Sequence, residues 1–111
     1  MTQDTPEPDW KFKLRYGKIT TQFQHYTTIS EGVAGNLGGG FSCPPGPAFM
    51  AMKAWASSSE EAAHMARSFG SHIGFTVTGR IHIYTTDPEQ PPKENPFGYD
   101  INFTPFTEEK A

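Results

Sequence analysis

The chain has 111 residues, enough for one small domain with a modest core and too few for two. Its formal charge of -3 leaves no basic footprint for nucleic acid, and its single cysteine excludes an internal disulfide framework. Aliphatic side chains are scarce, but nine Phe, four Tyr and two Trp can build a core, so the composition does not describe a disordered chain.

Residues 1–9 form an acidic, proline-containing tail with neither the basic start nor the apolar stretch of a secretory signal. Residues 107–111 form a second tail, which leaves 10–106 as a single domain. No apolar run reaches the roughly 18 residues of a spanning helix, so a cytoplasmic protein without membrane contact is expected.

The stretch WKFKLRY alternates, with Trp10, Phe12, Leu14 and Tyr16 on one side and Lys11, Lys13 and Arg15 on the other. Period two predicts a half-buried strand over 10–16. Gly17-Lys18 then offers a turn into a second strand over 20–29, rich in Thr, Phe, Tyr and Ile, so that the two make a hairpin. The glycine-rich loop follows over 32–47. It matches neither phosphate-binding pattern, because no lysine follows the glycines and three prolines do.

Residues 48–56 admit two readings. Their Ala, Met and Lys content favours a helix with Pro47 at its first position, whereas as a strand they are apolar on both sides, which suits a central position and is the reading taken. Ser57 or Ser58, with Glu60 or Glu61 three residues on, opens a helix that Gly74 closes. Its apolar face is Ala62, Met65, Ala66, Phe69 and Ile73, and Gly70 weakens its last turn. Residues 75–86 alternate as one strand bent at Gly79. Four prolines make 87–97 an irregular, rigid loop, and 99–104 is a last strand with Tyr99, Ile101 and Phe103 on one side. The expected fold class is α+β: a mostly antiparallel sheet of about five strands, β-β-β-α-β-β, with one helix on one face.

No catalytic constellation stands out. Cys43 would need a histidine or a helix N-terminus to become a nucleophile, and no spacing joins it to one. One cysteine and scattered histidines give no metal-ligand spacing, and no cofactor motif is present. His25-Tyr26-Thr27 matches half of a paired H-x-T signature, but His82-Ile83-Tyr84 lacks the second Ser or Thr. The expected function is therefore non-enzymatic: binding of a protein partner, in the manner of a bacterial immunity-like or regulatory protein, or homodimerisation. Lys11, Lys13 and Arg15 are the candidate partner contacts. The alternative is a small-molecule or enzymatic site under the glycine loop, lined by Phe41, Ser42, Cys43, His25, Trp55 and His82.

Overall fold

The computed structural model describes residues 9–17 and 20–106. Its elements are α1 (Asp9–Arg15), β1 (Gln24–Ala34), β2 (Gly46–Ala56), α2 (Ser59–Ile73), β3 (Phe75–Thr85) and β4 (Phe97–Pro105). Lys18 and nearly all of the two tails lie outside the described residues. The fold is α+β, with an antiparallel sheet of four strands in the order β3-β1-β2-β4.

The expected fifth strand is instead the helix α1. Trp10 and Leu14 are half-buried, whereas Phe12 and Tyr16 are 43% and 69% exposed. Each pair is four residues apart and shares a helix face. The same spacing also satisfies period two, so seven residues could not separate the alternatives. Gly17, at φ 78, ends the helix. The predicted hairpin fails with the strand, because β1 already has β2 on one side and β3 on the other.

β1 also runs through Gly32, Val33 and Ala34, which the sequence assigned to the loop. A Cβ at Gly32 would collide with the Thr76 carbonyl and the Phe75 ring, so this glycine serves strand packing. β2 is the predicted central strand. Its Ala48, Met50, Met52 and Ala54 form the core with Ala34, Ala66 and Phe75, and this places α2 against one sheet face.

α2 begins where its caps predict. The Ser58 hydroxyl accepts the Glu61 N–H at 3.1 Å. The Glu61 carboxylate accepts the Ser57 N–H at 2.6 Å and its hydroxyl at 2.9 Å, and these bonds hold it below the usual carboxylate range. Gly70 is buried, and a Cβ there would come within 2.9 Å of the Phe75 carbonyl. The helix gives up some propensity at this position to let β3 start close beside it.

The glycine-rich connection now spans residues 35–45. Gly35 N–H donates to the Gly74 carbonyl at 2.9 Å, and Gly38 N–H to the Ile73 carbonyl at 2.8 Å. Carbonyls at a helix C-terminus have no partner within the helix, and this loop supplies them. Phe41 then stands edge-on to Phe69 and Phe103, each at 5.7 Å.

Both edge strands are irregular. In β3, Val77 pairs with Gly32 and Ile81 with Ser30, so Thr78, Gly79 and Arg80 together oppose Glu31. In β4, Asn102 pairs with Ala51 but Tyr99 with Lys53, and Asp100 sits at φ 55. This extra residue overturns the expected shared face. Ile101 and Phe103 pack on the core under α2, while Tyr99 turns to the opposite face beside His25.

Candidate functional site

The sheet face away from α2 can be read from the registers as rows from β3 to β4. One row is Tyr84, Thr27, Lys53 and Tyr99; the next is His82, Ile29, Ala51 and Asn102. Beyond these come Glu31, Phe49 and Thr104, then Thr76, Val33 and Pro47. Phe106 stacks on Phe49 with ring centroids 4.5 Å apart. Two of the most exposed large apolar side chains lie on this face, Val33 at 42% and Tyr84 at 51%. Ile29, Phe49, Ala51 and Phe106 are half-buried beside them.

One end of the face is different. There the connection after β3, residues 86–90, crosses the strands as a strap and is tied down by buried polar groups. His25, 2% exposed, lies beneath it. The Thr86 carbonyl lies 3.0 Å from Nδ1 of His25, and the Thr86 hydroxyl 3.1 Å. A carbonyl only accepts, so Nδ1 carries the proton. Nε2 then accepts the Tyr99 hydroxyl proton across 2.7 Å. The Tyr99 oxygen in turn accepts the N–H groups of Glu89 at 2.9 Å and Gln90 at 3.3 Å. Trp55 adds a bond from Nε1 to the Gln90 carbonyl at 2.8 Å and packs edge-on against His25 at 5.1 Å.

The electrostatics follow from these positions. Burial disfavours the charged imidazole and lowers the His25 pKa from its ordinary 6.5, against a smaller opposing effect of the Thr86 carbonyl. At the rim, Lys53 Nζ bonds Asp100 at 2.7 Å and Glu89 at 2.8 Å. The two carboxylates raise the lysine pKa well above its ordinary value, and Lys53 draws Asp100 below the usual carboxylate range. Both carboxylates are exposed to solvent, which screens these ion pairs and keeps their contribution to stability small.

The six residues proposed to line a site under the glycine loop are spread over two faces. Phe41 and Cys43 pack on the α2 side, and Ser42 is exposed nearby. His25 and Trp55 are in contact, but on the opposite side of the sheet. His82 shares that face and lies 3.6 Å from Glu31, where a charged imidazole would complete an ion pair. The basic trio is also divided. Lys11 and Arg15, four apart on α1, line one cleft with Leu14, Asp87 and Pro88. Lys13, two residues from each, points elsewhere around the helix. Among the described residues, no group of His, Cys, Asp and Glu is arranged to hold a metal ion, and no helix is long and apolar enough to cross a membrane.

Sequence reasoning missed Tyr99, Thr86 and the strap backbone. The one available signal was Asp100, a residue that tolerates the left-handed conformation, inside an otherwise alternating strand. The chain matches no family model, no curated protein and no solved structure.

Proposed function

We propose that this chain is a non-enzymatic domain that works by holding another protein against the open face of its sheet, as an immunity-like or regulatory protein would. The observation that carries this is the unequal dressing of the two faces. One side is filled by α2, while the other keeps Ile29, Val33, Phe49, Ala51, Tyr84 and Phe106 partly or largely exposed. Ile29, Ala51 and Phe49 lie together on the two central strands, with Glu31 between Ile29 and Val33 and with His82, Asn102 and Thr104 on the edge strands. Such a mixture of apolar and polar groups is what protein interfaces present.

The edges support the face as the contact surface. Bulges with Arg80 on β3 and Asp100 on β4, and Pro105 at the end of β4, are devices that discourage a further strand from pairing. A partner is thereby directed to the side chains of the face. His25, the most buried of the histidines, has both ring nitrogens occupied by structural bonds, which argues for architecture over proton-transfer chemistry there.

The test is capture from the native host with the tagged full chain and three variants. A partner should be held at near-stoichiometric amount by the wild type and by Arg67→Glu, which alters the exposed side of α2. Val33→Glu and Tyr84→Ala should each weaken the measured affinity at least about tenfold, as changes at a contact centre do. Retention of full affinity by both face variants, or a chain that sediments alone as a monomer and captures nothing, would refute the proposal. A wild-type dimer split by the same two variants would replace the foreign partner with a second copy.

A further inference from the structure

We propose that His25 is a proton-operated latch: neutral, it fastens residues 86–90 across one end of the sheet, and protonated, it releases them. The latch is a property of the fold and stands whether or not the open face binds a protein.

The geometry gives the mechanism. The strap meets the His25–Tyr99 pair at both ends of one chain of hydrogen bonds. At one end the Thr86 carbonyl accepts from Nδ1 of His25. At the other, the N–H groups of Glu89 and Gln90 donate to the Tyr99 oxygen. The link between them is the Tyr99 hydroxyl donating to Nε2, at 2.7 Å. Every donor in the chain meets an acceptor only while Nε2 has a free electron pair.

A proton on Nε2 turns that acceptor into a donor. The Tyr99 hydroxyl must swing its own hydrogen away, and its oxygen then faces three donors with two lone pairs. At least one strap amide loses its partner, in a place where a lone polar group is costly. The imidazolium is also buried, and only the strap and its surroundings can compensate it. Lys53 on β2 faces it as a like charge, while Glu89 and Asp87 on the strap attract it. Asp100 on β4 is engaged by Lys53. Lys11 and Arg15 of α1 lie with Asp87 along the adjoining cleft. Burial outweighs the pull of Glu89 and Asp87, so the route of least cost is to lift the strap and let water reach the ring. Lifting would also uncover Trp55 and Tyr99, which are 3% and 8% exposed, and so lengthen the aromatic surface of the open face.

The sign of the pH dependence is set by the lowered pKa of the native state. The unfolded or opened ring takes a proton at about 6.5, and the latched ring only at lower pH. The latch is therefore fully closed above that ordinary value. It weakens as pH falls below it and is lost as pH passes through the native pKa.

The experiment is a pH titration of the full chain by 15N NMR with amide hydrogen exchange. The expected result is that the His25 ring passes from the Nδ1–H neutral form to imidazolium with a midpoint below 6.5. Glu89 and Gln90 amides lose protection at least about tenfold at the same midpoint, while Met50 and Met52 on β2 stay protected, as local opening requires. In Tyr99→Phe the strap amides should be weakly protected at every pH, with no step where His25 titrates. Three results would overturn the latch. The strap could stay protected while His25 charges. The strap and β2 could lose protection together, which is global unfolding. The Tyr99→Phe strap could keep the wild-type midpoint.

Discussion

The glycine-rich connection, residues 35–45, and the proline-rich connection, residues 86–96, are opposite ways to place a loop. The first is held by its own backbone. Its amides cap the end of α2, and Gly39 and Gly40 take positive φ angles at a turn. The second has few backbone bonds to the sheet and is held by side chains reaching up from it: His25, Tyr99, Trp55 and Lys53. A loop fixed by backbone sterics has one arrangement. A loop fixed by titratable and polar side chains can be let go without disturbing the strands beneath it. The loop that drew attention in the sequence bonds through its backbone to the end of α2, and the one that looked like a plain spacer is held by titratable and polar side chains.

The largest expected effect tests the first half of this comparison. Gly74 sits at φ 106 where α2 ends, and a Cβ there would come within 2.6 Å of the Asn36 carbonyl oxygen. Gly74→Ala meets both backbone strain and a collision with backbone. It should lower the urea-unfolding free energy by about 2–3 kcal/mol. A loss under about 0.5 kcal/mol would mean that the glycine connection yields easily and is not the rigid member of the pair.

Tyr99→Phe tests the second half and should cost less. The ring stays packed, but the Glu89 and Gln90 amides and His25 Nε2 lose their common partner. Water can reach amides at a lifted strap, so the global cost should be about 1–2 kcal/mol, at the lower end for buried groups left unpaired. Equal losses of protection in the strap and in β2 would show instead that the strap is an inseparable part of the core.

The sequence carried some of this plainly and some not at all. β2 was legible only in part, because Ala, Met and Lys fit a helix as well. What favoured a strand was having Met50, Met52 and Ala54 on one side and Phe49, Ala51 and Trp55 on the other, which its pairing with β1 and β4 explains. α2 announced itself through Ser58, Glu61 and Gly74, whose roles are local. α1 was hidden because Trp10, Phe12, Leu14 and Tyr16 alternate as a strand does, while only Trp10 and Leu14 serve the buried side of the helix and Phe12 and Tyr16 stay exposed. The reversal of Tyr99 depended on the register break at Asp100, which is set by pairing with β2. His25 and Trp55 were picked out as lining a site under the glycine loop; they are neighbours, but on the sheet face away from Phe41 and Cys43. Their partner Tyr99 is 74 residues from His25, however, and no local pattern encodes a contact at that range.

The smallest effect has the opposite sign and is the sharpest test of how the glycine connection works. If the loop is held at particular positions by sterics and amide bonds, its glycines are not equivalent. Gly38 is the informative one. It contributes its N–H to the Ile73 carbonyl, but its φ is not positive and a Cβ there would meet nothing within 4 Å. Alanine keeps the N–H and enters open space, while it removes conformational freedom from the unfolded chain. Gly38→Ala should therefore stabilise the protein by about 0.5 kcal/mol in urea unfolding. Were Gly38→Ala to destabilise as Gly74→Ala does, the loop would be held by close packing along its whole length. A gain at Gly38 beside a loss at Gly74 means that fixed points carry the loop and the residues between them are free to vary.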